Sequence, residues 1–254
     1  MRAESRRQAL DALCATTLWR GDAPTALAAV ASLPSGYAEL DGELPGGGWP
    51  LGMLTEILPA CAGIGELRLL APALARLSAE GRHLAWIAPP HTPYAPALAA
   101  AGIDLARLFI VRAERPQDVL WAAEQALRAR ACAAVLAWPA EARFADLRRL
   151  QVAAQTGRSL TVLFRPPAAA VEASPAPLRL GLAMRGGVPA IDIFKRRGRP
   201  QGGPLLLPAL GHSDNTERAA QVRATLVSAA LGHALDSSPP VAPAPRTARG
   251  LSHA

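Results

Sequence analysis

Cysteine is scarce in this chain: three residues in 254, at Cys14, Cys61 and Cys132. The number is odd, the spacing wide and no histidine cluster accompanies it, which argues against a disulfide framework and against a zinc site. The three thiols are expected to be buried. No apolar run reaches the roughly 20 residues of a membrane span, and Met1-Arg-Ala-Glu-Ser-Arg-Arg7 carries no signal-peptide h-region. A cytoplasmic protein with no membrane partner is therefore expected. Negative charge is in deficit, 20 Asp and Glu against 27 Lys and Arg, for a net +7 and a pI near 10.5. That balance permits contact with DNA without requiring it, because arginine-rich, alanine-rich sequences also arise from composition bias alone.

The most telling shortage is of one lysine. Met53 to Leu58 is a short apolar run that enters a small-residue turn holding Gly63 and Gly65, and a helical pattern begins at once. This is the layout of a phosphate-binding loop, in which backbone N–H groups cradle phosphates, Lys reaches the outer ones and Ser or Thr holds Mg²⁺. Glu66 and Leu67 stand at those two positions. A carboxylate there repels a triphosphate, so the shape is present without the chemistry.

Apolar runs suited to buried strands are Met53 to Leu58, His83 to Ala88, Leu108 to Arg112, Ala133 to Trp138 and Leu160 to Phe164. Helical patterns follow the first four, over Leu67 to Ala79, Ala95 to Ala100, Gln117 to Arg130 and Phe144 to Gln155. Such alternation predicts an α/β fold with right-handed crossovers, a mostly parallel twisted sheet and helices on both faces. Leu178 to Met184 and Ala190 to Lys195, joined through Arg185-Gly186-Gly187, predict a hairpin at one sheet edge. Residues 1–32 are expected to form a helical appendage and 33–210 the core. Residues 211–254 are expected to hold a helix, with Val222, Leu226, Ala230 and His233 on one side, and then a disordered Pro/Ala/Ser/Arg tail.

Leu33-Pro-Ser-Gly-Tyr-Ala-Glu-Leu-Asp41, Leu44-Pro-Gly-Gly-Gly-Trp-Pro-Leu-Gly52 and the strand ending in Glu56-Ile57-Leu58 resemble the entry into the ATPase core of RecA recombinases. The resemblance is closer to the ImuA family of RecA/SulA-like proteins from bacterial mutagenesis cassettes. It rests on Gly63-Ile-Gly-Glu-Leu-Arg-Leu-Leu70, Ala88-Pro-Pro90, Pro93-Tyr-Ala-Pro-Ala-Leu98, Leu136-Ala-Trp-Pro139, Leu147-Arg-Arg-Leu150, Ser174-Pro175 and Lys195-Arg-Arg-Gly198. The order and spacing of these stretches, across residues 33 to 200, are more specific than any one of them.

The resemblance implies a RecA-like P-loop core whose nucleotide site is degenerate in several places. Trp138 stands where a Walker B aspartate orients Mg²⁺, Pro89-Pro90 where a glutamate activates water, and Arg165-Pro166 where a glutamine-type sensor ends the fifth strand. Loss of one such group costs orders of magnitude in rate, so no ATP hydrolysis and no cofactor are expected. Tyr94 resembles an adenine-stacking tyrosine, against which stands a packed aromatic beside Pro93 and Pro96. Lys195, Arg196 and Arg197 resemble phosphate or interface contacts between RecA subunits, against which stands a solvated basic turn.

Glu39, Asp41 and Glu43 match no metal loop and read as solvated turn residues. His83 and His91 lack a recognisable partner. Trp49, Trp86, Trp121 and Trp138 read as core or interface anchors, and Arg143, Arg148 and Arg149 as an exposed helix face. The segment from Arg165 to Ala173 is too short and apolar for the DNA contacts of a RecA loop. The family implies a non-catalytic accessory role in SOS-induced translesion synthesis, with ImuB, an error-prone polymerase and RecA or a second copy as partners. A SulA-like division inhibitor is the alternative, and a weak ATP-binding protein a third reading.

Overall fold

The computed structural model describes residues 31–198 and 202–208. All but the last two residues of the appendage expected over 1–32, the helix and tail expected over 211–254, and Cys14 fall outside these residues. The described chain is a mixed α/β fold with a mostly parallel sheet. Its strands are β1 (Ser32–Leu33), β2 (Trp49–Pro50), β3 (Leu54–Pro59), β4 (His83–Ile87), β5 (Leu108–Val111), β6 (Cys132–Ala137), β7 (Leu160–Phe164), β8 (Leu178–Arg185), β9 (Val188–Lys195) and β10 (Leu205–Leu206). The helices are α1 (Ala38–Glu43), α2 (Glu66–Ala79), α3 (Ala95–Ala100), α4 (Pro116–Arg128) and α5 (Phe144–Gly157).

Eight strands form the main sheet in the order β10-β9-β8-β3-β7-β6-β4-β5. Strands β8, β3, β7, β6, β4 and β5 run parallel, while β9 and β10 are antiparallel additions. The predicted hairpin is thus present, but it does not end the sheet: Leu205 and Leu206 pair with Ile191 and Ala190 outside it. This two-residue strand follows a Gly/Pro-rich segment, which hid it as a strand.

Alternation along each strand sorts the core into two layers, as the two-residue period of a pleated strand requires. Ile57, Leu84, Trp86, Leu136 and Val162 face α2, which buries Leu69, Leu70, Ala73, Leu74 and Leu77 against them. Leu54, Ala85, Ile87, Val135 and Leu163 face α4 and α5, through Val119, Leu120, Leu127, Leu147 and Leu150. The first layer is completed by Leu33, Leu40, Leu44 and Trp49 from the segment that precedes β3. Here the expectation of solvated turns is corrected. Glu39, Asp41 and Glu43 lie in or at the end of α1, where the Asp41 carboxylate accepts the Ser35 N–H at 2.8 Å and Glu43 pairs with Arg196 at 2.7 Å. Six residues flanked by glycine and proline are too few for helical periodicity to register.

Among the described residues no helix is long and apolar enough to cross a membrane.

Candidate functional site

Parallel strands bring their carboxyl-terminal ends to one edge of the sheet, where open α/β sheets place ligands. Ile57 lies opposite Phe164, and Ala137 lies opposite both Leu163 and Ile87. The turn after β3, Ala88-Pro89-Pro90 after β4, Trp138 after β6 and Arg165 after β7 therefore share one edge. These are the positions at which the RecA resemblance would require catalytic groups.

The turn from Ala60 to Gly65 is held in shape by left-handed backbone at Gly63 (φ 79) and Gly65 (φ 103), a region that only glycine enters without strain. Gly65 directly precedes α2, so the loop delivers backbone N–H groups at a helix N-terminus. One of them is taken. The Glu66 carboxylate folds back so that Oε1 accepts the Gly63 N–H at 3.1 Å, while Oε2 is buried without a hydrogen-bond partner. A negatively charged side chain thus occupies the positive end of the helix, where a phosphate would otherwise be favoured.

Beside the loop, the space is apolar. Trp138 stacks on Phe164 with centroids 4.7 Å apart and 17° between planes, and packs at 6.0 Å against Trp86. Ile64 and Leu67 pack against the same core layer. A shallow groove of about 250 Å³ runs past Leu58, Ala60, Pro167 and Phe194, with Arg185 and Asp192 also in its lining; neither lysine nor hydroxyl lines it. No group of His, Cys, Asp and Glu among the described residues is placed to hold a metal.

A buried ionic cluster lies under the segment that follows β7. Glu56, fully buried on β3, accepts from Arg179 Nε at 2.5 Å and from Ser174 Oγ at 2.9 Å. Arg165 Nη1 stands 3.6 Å from the same carboxylate, and Arg165 Nη2 bonds Glu172 at 2.8 Å and the Ala142 carbonyl at 3.2 Å. Arg179 spreads its remaining donors over the carbonyls of Ala169, Ala170 and Glu172. It also lies 5.1 Å from the Phe194 ring centroid. The cluster fastens residues 169–174 to β3 and β8. Arg165, read from sequence as a missing sensor, is thus a structural cation, and Glu56 and Arg179 were not singled out at all. The only available signal was a lone Glu inside an apolar strand.

The other expected site residues are dispersed. Tyr94 is 63% exposed at the start of α3, so its reading as a packed aromatic is corrected. Lys195 donates to the Ser174 carbonyl at 2.6 Å, and burial together with Arg179 lowers its pKa. Arg196 is tied to Glu43, whereas Arg197 is exposed. Trp49 and Trp86 are core residues, while Trp121 is exposed. His83 packs 5.0 Å from Phe109. On the expected helix face, Arg149 pairs with Glu124 and Asp146.

Of the thiols expected to be buried, Cys61 is exposed and Cys132 half-buried. Burial pushes the Cys132 thiol pKa up, which lowers its thiolate fraction. Under native conditions at mildly alkaline pH, iodoacetamide is expected to label Cys61 well ahead of Cys132, as followed by peptide mass spectrometry. Equal rates at the two sites would contradict this placement.

The family profile described as "Cell division inhibitor SulA" matches residues 52–161. The cell division inhibitor SulA of Edwardsiella piscicida is 34% identical over 118 residues, 46% of this chain and 70% of that protein. Protein ImuA from two strains of Caulobacter vibrioides is 36% identical over 146 residues, 53% of this chain. That match takes in 58% of ImuA, little more than half its length. The crystal structure of SulA from Pseudomonas aeruginosa aligns at 30% identity over 44% of this chain and 97% of its own, with a TM-score of 0.38.

Proposed function

The chain belongs to the SulA family and is an ImuA/SulA-like protein, and from that premise we propose that it works without catalysis, as a docking factor of the SOS response. Its core is read as a RecA-like one in which a phosphate loop has become a fixed strand-to-helix turn. Supporting this, Glu66 engages the loop backbone and the Trp138–Phe164 stack fills the place of the metal carboxylate. ATP is not expected to be a cofactor.

The observation that carries a docking role is the edge strand β5. Among the described residues it pairs with β4 on one side only, and beyond half-buried Leu108 its side chains are Phe109 (51% exposed), Ile110 (43%) and Val111 (38%). Native sheets normally blunt such an edge with charge, proline or a covering element, because its free N–H and C=O groups recruit further strands. An apolar edge that no described residue covers is suited to receiving a strand from a partner.

The leading reading is an accessory role in mutagenic translesion synthesis with ImuB, an error-prone polymerase and RecA. In its favour, the likeness to ImuA runs over the longer stretch, 146 residues against 118. The SulA likeness favours the second reading, inhibition of cell division. Overproduction separates them: an ImuA-type factor alters damage-induced mutation frequency, whereas a SulA-type one gives long unseptated cells. For the docking edge itself, Ile110→Lys is expected to leave the melting temperature within a few degrees of wild type. It should weaken retention of ImuB on the tagged protein by at least about tenfold, of the order expected for a central interface residue. Undiminished retention would remove β5 from the account.

A further inference from the structure

The amino-terminal edge of the sheet, opposite the degenerate loop, carries a row of like charges. Arg158 immediately precedes the start of β7, Arg130 that of β6, Arg82 that of β4 and Arg107 that of β5, each within two residues. These four strands are parallel neighbours in that same order. With neighbouring strands about 4.8 Å apart, the four arginines span roughly 14 Å along one edge.

Arg82, Arg130 and Arg158 are exposed, and none takes part in an ion pair among the described residues. The two acids beside them are engaged, Glu80 with Arg76 at 3.6 Å and Asp104 with Arg107 at 3.9 Å. Arginine at helix carboxyl ends complements the helix dipole, but that does not account for the backbone here. Arg130 and Arg158 both adopt left-handed conformations, φ 55 and φ 50, where glycine or asparagine would be unstrained. Both arginines thus sit at left-handed positions that glycine or asparagine would fill at lower cost, as does Ala88 (φ 51) at the opposite edge. Gly157 brings the two arginines together: a Cβ there would meet the Leu127 carbonyl oxygen at 2.9 Å, so glycine lets the ends of α4 and α5 close up.

The residues between the arginines are small: Gly81, Ala129, Ala131, Gly157 and Ser159. At the β5 end Leu105 and Phe109 are exposed and apolar, but the small residues around Arg82, Arg130 and Arg158 offer no anchor of the kind on which protein interfaces depend, whereas planar guanidinium forks match phosphate. We propose that this arginine row binds the phosphate backbone of a nucleic-acid strand, without reading its sequence. The site lies at the opposite end of the strands from the degenerate loop, and Arg82, Arg130 and Arg158 precede strands other than the docking edge β5.

Binding of the full-length chain to a fluorescent single-stranded oligonucleotide, followed by anisotropy over a range of salt, tests this. The comparison is with the triple variant Arg82→Gln, Arg130→Asn, Arg158→Asn, whose asparagines suit left-handed backbone and should not lower the melting temperature. Arginines elsewhere in the chain act equally in both proteins, so the difference isolates the row. The salt slope, log K against log salt, is expected to be shallower by about 2 in the variant, three charges at about 0.7 each, and by nearly 3 on duplex DNA. Affinity at low salt should fall at least about tenfold. If the triple variant unfolds, Arg82→Glu and Arg82→Lys carry the test, the first losing affinity and the second keeping it. Equal slopes and affinities in wild type and triple variant, no binding by wild type, or retained binding by Arg82→Glu would overturn the proposal.

Discussion

Replacing Glu56 by alanine is expected to destabilise the protein by about 3–5 kcal/mol, the range for removing one partner of a buried ion pair. Glu56 is fully buried, and the guanidinium groups of Arg165 and Arg179 are nearly so. Once the carboxylate is gone, two cations remain in the interior, Ser174 loses its acceptor, and water has little access to either. The effect extends beyond the pair, because Glu56 and Arg179 lie opposite each other where β3 meets β8. Arg179 also holds the carbonyls of Ala169, Ala170 and Glu172. Removing both charges, as Glu56→Leu with Arg179→Met, should cost less than the two single changes added together, since only Arg165, still paired with Glu172, then faces the site instead of two cations. Urea unfolding measures all three proteins. A Glu56→Ala loss below about 1 kcal/mol would mean that this cluster does not bind the fold together.

The second large effect concerns the loop edge proposed to be a degenerate nucleotide site. Trp138→Asp puts a carboxylate where a Walker B aspartate would stand, yet it is expected to cost about 3 kcal/mol or more and to yield no ATP hydrolysis. The loss has two sources. A partly buried indole stacked on Phe164 and packed against Trp86 is removed, a change that costs somewhat less than the roughly 3–5 kcal/mol of a fully buried aromatic. A charge is then placed against the rings of Trp86 and Phe164, where it is poorly solvated. Hydrolysis stays absent because Glu66 still engages the loop and no lysine reaches a phosphate. Thermal unfolding and a phosphate-release assay follow the two effects. A stable variant that hydrolyses ATP would show that the site was one substitution from activity.

Strand and helix positions were legible where the apolar period was strong and the element long. Leu160 to Phe164 and Ala95 to Ala100 fall where the sequence placed them, and the other strands of the parallel group differ by a residue or so at their ends. The short pieces α1, β1, β2 and β10 were not legible, because two to six residues between glycines and prolines carry no period. The loop at Gly63 and Gly65 was visible as a turn. That Glu66 would bend back onto the Gly63 N–H was not, since sequence showed only the charge a triphosphate would meet. The Glu56–Arg179 pair escaped for another reason: 123 positions separate its members, and only the sheet order brings them together. The arginine row is the same kind of feature. Each arginine alone reads as a helix end, and the row exists only once β7, β6, β4 and β5 are known to be neighbours.

Capture on the tagged full-length protein in DNA-damaged cells, with wild type and Ile110→Lys run side by side and ImuB and the error-prone polymerase quantified, tests the docking account most directly. The account predicts retention of both partners by wild type and loss of at least about tenfold in the variant, whose fold is intact. Failure of wild type to retain either partner, or equal retention by the variant, would contradict it.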